Sequence, residues 1–153
     1  MGNHIHSILA LTPVRFCALD SSFLKKLIDE QGELCLAVLH YLAEEQSRRD
    51  TRSALIATAS PAQRLAYLFL ETFARCKAVG IADGTMCPLP LRQSHLAELL
   101  GLSKVHISRT LAALKRDGSI HLADGLLVIP DQRRLAEIAQ VAPPIYANGR
   151  TII

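Results

Sequence analysis

The sequence predicts a mainly helical protein with a small β component. Of its 153 residues, 50% are hydrophobic, whereas only 5% are aromatic and tryptophan is absent. Because Leu, Ala, Ile and Val carry the apolar weight, this composition favours helices over a β-sandwich. One Asp-Gly pair between two apolar runs predicts a single β-hairpin. The hydrophobic content is high enough for a packed core, which excludes global disorder.

The first twenty residues favour extended chain. Two short apolar stretches, residues 8–11 and 14–19, are separated by Thr12 and Pro13. This pattern is typical of one or two β-strands. No neighbouring stretch is suited to pair with them, and an isolated strand is marginally stable. We therefore expect weak strands at this end of the chain.

Two helices are predicted next. Ser21 or Ser22 can cap a short helix over residues 23–31, because serine side chains accept from the first free N–H groups of a helix. Gly32 separates this helix from a much longer one that ends near residue 59.

The long helix has only a narrow apolar stripe. At about 1.5 Å per residue, residues 33–59 span about 40 Å, which is too long for burial within so small a chain. We expect this helix to pair with a second copy as a coiled coil. In its polar middle, Glu44 with Arg48 and Glu45 with Arg49 have i,i+4 ion-pair spacing. The predicted dimerisation residues are Leu34, Val38, Leu42 and Leu55.

A core helix and a loop follow. Ser60 and Pro61 have the positions of an N-cap and a first helical residue, and Gly80 follows the end of the helical pattern. Residues 81–90 contain one glycine and two prolines and are expected to be a loop. The predicted buried face of the helix consists of Leu65, Leu68, Phe69, Thr72 and Phe73.

Residues 93–118 have the spacing of a helix-turn-helix. Two helices that cross steeply need a small residue at their contact and a glycine that can adopt positive φ in the turn. Ala97 and Gly101 meet these needs, and Ser103 is placed to cap the second helix. The apolar residues expected between the two helices are Leu96, Leu100, Leu102, Ile107 and Leu111.

The second helix separates into two sides when it is projected at about 100° per residue. Ile107, Leu111 and Leu114 fall on one side, and Arg109 lies opposite them. A helix held by one face can enter the major groove, where Arg bonds guanine O6 and N7. An αα-corner that merely packs explains the leucines but not the cationic outer side. The predicted DNA contacts are Gln93, Ser94, Lys104, Val105, His106, Ser108, Arg109, Arg116 and His121.

Residues 119–129 predict a β-hairpin with Asp124-Gly125 at its turn. After a helix-turn-helix, such a hairpin would form a wing that touches phosphate. A last short helix is expected over residues 131–140, with Asp131 as its N-cap.

These motifs, above all L-P-L-R-Q-S-H-L-A-E-L-L-G-L-S-K-V-H-I-S-R-T-L, resemble the C-terminal half of the Crp/FNR family of bacterial transcription regulators. Further upstream, T-P-V-R-F-C-A-L-D-S-S-F-L resembles the last barrel strand and short helix of the family's sensor domain, and residues 33–59 its dimerisation helix. The resemblance covers about residues 11–140. It implies a winged helix-turn-helix that reads promoter DNA as a dimer, with Arg109 as the reading arginine.

Three features depart from the family pattern. Val105 stands where the family often has Glu, so contact with a thymine methyl replaces acceptance from a cytosine amino group. Arg92 stands in place of the usual Thr, which removes an N-cap from the first helix. Most of the sensor barrel is missing, together with its cyclic-nucleotide residues and the cysteines of the iron–sulfur members. The sequence therefore predicts no cofactor and no metal.

Other functional readings have less support. The four cysteines form no C-x-x-C pair, so reduced thiols are expected rather than a disulfide framework or a zinc knuckle. Cys76 and Cys87 with His95 would suggest a thiol enzyme, but nothing places an orienting acid beside them. His4 and His6 are too few for a metal site. Without an export signal or an apolar run of about 20 residues, the chain is expected to be cytoplasmic and without a membrane partner. It is not expected to be an enzyme, because the sequence indicates no paired catalytic groups.

The chain divides into four predicted parts: residues 1–20, a remnant of sensor-barrel strands; 21–59, the short and the dimerisation helices; 60–141, a winged helix-turn-helix domain; and 142–153, a tail. The predicted function is a Crp/FNR-type transcription regulator that binds double-stranded DNA as a homodimer, with the helix Lys104–Arg116 in the major groove. RNA polymerase is a further candidate partner. The alternative is a truncated interaction protein that heterodimerises with a full-length relative and modulates it.

The distribution of charge agrees with a nucleic-acid partner. The net charge is only +3. Residues 92–121 contain five cations and two acids, so the whole excess lies in the helix-turn-helix. The negatively charged phosphate backbone of DNA would contact this excess of positive charge.

Overall fold

Six helices and three short strands make up residues 8–140, the part of the chain that the computed structural model describes. Predictions for the tail, for His4 and for His6 lie outside these residues. The mainly helical fold with a small sheet is confirmed. In chain order the elements are α1 Ser21–Glu30, α2 Gly32–Thr58, α3 Pro61–Ala78, β1 Met86–Pro88, α4 Gln93–Leu100, α5 Lys104–Arg116, β2 His121–Ala123, β3 Leu126–Val128 and α6 Gln132–Ala139.

The strands expected before α1 do not form. Residues 8–20 are exposed and have no strand, because the three described strands pair only with one another. The cap of α1 is Asp20 rather than Ser21 or Ser22. The Asp20 carboxylate accepts hydrogen bonds from the Ser22 hydroxyl at 2.6 Å and from its backbone N–H at 2.7 Å. These bonds lower the pKa of Asp20.

α2 is 27 residues long and buries none of them. Of its predicted dimerisation residues, Leu34 and Leu55 are half-buried, whereas Val38 is 40% and Leu42 is 55% exposed. Length and exposure together leave an apolar face without a partner within the described residues. Even so, α2 is not apolar enough to cross a membrane, and neither is any other described helix.

The ion pairs of α2 agree only in part with the prediction. Arg48 binds Glu44 at 2.8 Å, as expected. The pair between Glu45 and Arg49 was wrongly predicted, because Glu45 binds Arg48 at 2.9 Å and Arg75 of α3 at 3.3 Å instead. The carboxylate of Glu45 thus links two helices.

α3 is the central helix of the core. Its N-cap, Ser60, forms a capping box: the Gln63 backbone N–H donates to the Ser60 hydroxyl, and the Gln63 side chain accepts from the Ser60 N–H at 2.7 Å. Thr72 is only half-buried and bonds the Leu68 carbonyl. The other four predicted core residues are buried, namely Leu65, Leu68, Phe69 and Phe73. Helices α4, α5 and α6 and strand β1 pack around α3.

The sheet has three antiparallel strands in the order β1-β3-β2. The β2–β3 hairpin is confirmed, and both turn residues, Asp124 and Gly125, have positive φ, as a type I′ turn requires. Strand β1 lies where a loop was predicted. Because β1 is an edge strand, it tolerates Pro88, while Cys87 faces the core opposite Leu127.

Candidate DNA-binding surface

The helix-turn-helix is built by short-range interactions. Gly101 ends α4 in the left-handed region, with φ +61°, and the Leu102 N–H donates to the Ala97 carbonyl at 3.0 Å. The Ser103 hydroxyl then accepts from the His106 N–H at 3.2 Å and caps α5, as predicted. The turn is therefore fixed by one glycine and one serine.

α5 has one buried and one exposed side. Ile107, Leu111 and Leu114 are buried against the core, which confirms the predicted inner face. Three buried side chains over two turns fix the rotation of the helix about its axis. All six residues of α5 that were predicted to contact DNA are exposed, namely Lys104, Val105, His106, Ser108, Arg109 and Arg116.

Arg109 and Arg116 share the outer side of α5. They are seven residues apart, which places them on nearly the same side of the helix and about 10 Å apart along its axis. Lys104 lies at the first helical position. The cations therefore follow the length of the helix, and Val105, which is 57% exposed, lies among them.

The start of α4 departs from the usual cap. Arg92 occupies the N-cap position but has no acceptor atom in its side chain. Instead, His95 Nδ1 accepts from the Arg92 backbone N–H at 3.2 Å. The predicted contacts Gln93, which is exposed, and Ser94, which is half-buried, lie in the first turn of α4. Free N–H groups at such a helix start favour a phosphate oxygen.

The wing is tied to the end of α5. The Lys115 ammonium donates to the Leu122 carbonyl in β2 at 3.2 Å. Asp117 accepts from the Ser119 N–H at 2.9 Å and shapes the turn between helix and hairpin. His121, the predicted phosphate contact, lies exposed on β2. The contact of Lys115 was not foreseen, because no sequence pattern connects a lysine to the carbonyl of a strand that follows it.

The two core thiols do not form a reactive centre. Cys76 and Cys87 are free and buried. Burial, followed by the interaction with Cys76, raises the pKa of Cys87 to about 12. A thiol with so high a pKa is protonated at neutral pH and is a poor nucleophile. His95, the third residue of that hypothesis, accepts a hydrogen bond from the Arg92 backbone N–H.

The helix-turn-helix, its outward cations and the hairpin after α5 together define a winged helix-turn-helix. Proteins of this class use the second helix of the motif to contact double-stranded DNA. A comparison with known proteins shows which family this domain is similar to. Residues 63–138 match the family described as the Crp-like helix-turn-helix domain.

Relatives extend the match beyond this domain. The nitrogen fixation regulation protein FixK of Bradyrhizobium diazoefficiens is 27% identical over 138 residues, which are 90% of this chain and 58% of FixK. The chain thus contains a domain similar to the Crp-like helix-turn-helix, and its similarity to FixK supports a transcription regulator of Crp/FNR type. It spans about three fifths of the length of FixK.

Solved structures share the fold. FixK2 from Bradyrhizobium japonicum matches with a TM-score of 0.66 and 22% identity, covering 79% of this chain and 59% of that one. A CooA variant from Carboxydothermus hydrogenoformans matches with a TM-score of 0.63 and 18% identity, covering 78% of this chain and 55% of that one. At these identities the matches support the fold alone.

Proposed function

We propose that this chain is a transcription regulator of Crp/FNR type that binds specific sequences of double-stranded DNA as a homodimer. The observation that carries the proposal is the outer side of α5, where Lys104 and Arg109 are exposed while Ile107 and Leu111 hold the helix in the core. Because the core fixes the rotation of α5, its cations always point outward in the same direction. They can therefore contact the major groove of DNA in one defined orientation.

Base recognition is assigned to the first two turns of α5. Arg109 is the candidate for bidentate hydrogen bonding to guanine O6 and N7, which discriminates against other bases by about 1–3 kcal/mol. Val105 offers methyl groups to thymine, and Ser108 can bond any base edge. Short side chains beside Arg109 let the helix approach the floor of the groove.

Phosphate contacts are assigned to residues around this centre. Such contacts set the position of the protein on the duplex without reading its sequence. They make binding weaker as salt is added, since each releases counterions. The candidate residues are Gln93, Ser94, Lys104, His106, Arg116 and His121.

Dimerisation is assigned to the apolar stripe of α2, in which Leu34 and Leu55 are half-buried and Val38 and Leu42 are exposed. Leu34, Val38 and Leu42 recur at a spacing of four residues, so they form one continuous face. Pairing of two copies of α2 would bury this face and place two α5 helices in one molecule. Two major grooves on one side of B-DNA lie about 34 Å apart, which is the spacing that such a dimer has to match.

Selection of binding sites from a random duplex library tests the proposal. The purified chain should enrich a palindrome whose half-sites lie about one helical turn apart, and sedimentation of the complex should give two chains per duplex. Arg133→Ala is a suitable control, because Arg133 is an exposed arginine of the same domain, on α6.

Two outcomes would contradict the proposal. Binding of all duplexes with equal affinity would remove sequence recognition from α5. A chain that sediments as a monomer, and associates only with a full-length relative, would favour the interaction protein instead.

A further inference from the structure

A single arginine joins the end of α2 to the turn of the helix-turn-helix. Arg64, in the first turn of α3, donates from Nε to the Ala59 carbonyl at 2.9 Å and from Nη1 to the Leu100 carbonyl at 3.1 Å. Ala59 caps the C-terminus of α2, and Leu100 is the last residue of α4. Carbonyls at helix ends lack donors within their own helix. The planar guanidinium can donate to both carbonyls at once, because its N–H groups are held in a rigid, fixed geometry.

An apolar contact lies beside this arginine. A Cβ atom placed on Gly101 would lie 3.8 Å from Cγ2 of Ile56, so α2 lies directly against the turn. A small cleft continues this contact between α2, α3 and α4. The apolar residues lining the cleft are Leu55, Ile56, Tyr67, Leu68, Leu99 and Leu100.

A buried carboxylate adds a charged contact between the same helices. Glu71 of α3 is only 4% exposed, and its two oxygens accept no hydrogen bond among the described residues. Its negative charge is balanced by Arg52 of α2 and Arg75 of α3, each at 3.7 Å. If α2 moved away, Glu71 would lose Arg52, one of its two cationic partners, and an incompletely paired carboxylate is unfavourable.

We propose that Arg64, supported by the pair Arg52–Glu71, holds the helix-turn-helix at a fixed angle to α2 and thereby sets the half-site spacing that a dimer accepts. The inference rests on the proposed function. Only residues 59 and 60 connect α2 to α3, and without further contacts this short link would let the domain rotate. Arg64 is a positioning residue, since it lies at this junction and not on the outer side of α5.

Binding to duplexes of different half-site spacing tests the proposal. The full chain is titrated with the selected palindrome, with versions one or two base pairs longer or shorter, and with a single half-site. Wild type should lose about tenfold in affinity for each misfitting spacing, since either the protein or the DNA must deform. Arg64→Met removes both hydrogen bonds and should bind all spacings within about threefold, with its single half-site affinity unchanged.

Two further variants sharpen this test. Arg64→Lys keeps the charge, but a single ammonium cannot span both carbonyls. Its spacing preference should therefore be weaker than that of wild type and stronger than that of Arg64→Met. Arg49→Met is the matched control, because Arg49 is exposed on α2 and forms no ion pair within the described part of the chain. If Arg64→Met and Arg64→Lys keep the wild-type spacing profile, the proposal is wrong.

A measurement without DNA separates this proposal from the proposed function. Spin labels at Ser53 on α2 and Glu137 on α6, with Cys17 and Cys35 replaced by serine, report the angle between the helix and the domain. Labelled chain is diluted with unlabelled chain so that only distances within one protomer contribute. Wild type and Arg49→Met should give one narrow distance distribution, and Arg64→Met a broader one.

The two proposals fail in different ways. A wild-type chain that binds no palindrome but shows the narrow distribution, with broadening in Arg64→Met, would reject the proposed function and retain the junction. An equally narrow distribution in Arg64→Met or, if that variant does not fold, in Arg64→Lys would reject the junction, whatever the DNA result.

Discussion

α2 and the domain of residues 61–140 differ in burial: the domain buries many of its apolar residues, whereas α2 exposes most of its own. Half of the 18 residues of α3 are buried, whereas α2 buries none of its 27. Yet Leu36, Leu39 and Leu42 of α2 each leave more than half of their surface exposed. Helices gain most of their stability from packing rather than from propensity. The domain therefore contains its own core, while α2 leaves much of its apolar surface uncovered by the described residues.

Removing a large side chain from the domain core should have the largest effect. Phe69 is completely buried in α3, so Phe69→Ala leaves a cavity and should lower the free energy of unfolding by about 3–5 kcal/mol. Urea denaturation followed by circular dichroism measures this change. Leu39→Ala on α2 is the control and should change the stability of the domain far less. Equal losses in the two variants would contradict the contrast between the two regions.

A charge in the α2 stripe should break pairing without unfolding the domain. Leu42→Asp removes one leucine from each of two copies, which together contribute about 3 kcal/mol, so the dimer should dissociate about a hundredfold more readily. Sedimentation equilibrium measures the constant. His40→Asp places the same charge two residues away, on another side of the helix, and should leave pairing nearly unchanged. If His40→Asp weakened pairing as much as Leu42→Asp, the stripe would not be the interface.

Local rules explain which parts of the fold were predictable. The caps at Ser60 and Ser103, the turn at Gly101 and the hairpin at Asp124-Gly125 all depend on neighbours within about four residues. The inner face of α5 follows from helical periodicity alone. For the same reason, the exposure of its outer residues was predictable, although their contacts with DNA stay predictions.

Contacts between distant residues explain the rest. Strand β1 exists because Cys87 pairs with Leu127, and two nearby prolines conceal it in the sequence. Arg64 reaches a carbonyl 36 residues away, and Arg75 of α3 forms an ion pair with Glu45 of α2. No local pattern reports such contacts. The weak strands expected before α1 do not form, because a local strand pattern is not enough without a partner strand elsewhere in the described chain.

The outer side of α5 should carry specificity rather than stability. Arg109→Ala should lose about 1–3 kcal/mol of preference for the selected site over a scrambled duplex. Fluorescence anisotropy with both duplexes gives this difference. The domain should unfold at the wild-type urea concentration, because Arg109 is exposed. An unchanged preference would move base reading away from this residue.

The cap of α5 should contribute a smaller amount. Ser103→Ala removes the acceptor for the His106 N–H and should lower the free energy of unfolding by about 1 kcal/mol. Thermal or urea denaturation detects a change of this size. Ser103→Asp restores an acceptor and should recover most of the loss. If the alanine variant were as stable as wild type, the hydrogen bond would contribute nothing to the motif.

Lys104 should affect all DNA sequences equally. Lys104→Ala should weaken binding to specific and scrambled duplexes by the same factor, because a phosphate contact carries no sequence information. The slope of log affinity against log salt should fall by about one unit. A loss restricted to the specific duplex would make Lys104 a base-reading residue.

Hydroxyl-radical footprinting of the wild-type chain on its selected palindrome tests the central claim most directly. A dimer that is joined through α2 and reads DNA with α5 predicts two protected patches on one face of the duplex, centred about 10 base pairs apart. Loss of both patches in Leu42→Asp would link them to pairing. A single patch, or uniform protection along the duplex, would contradict the account.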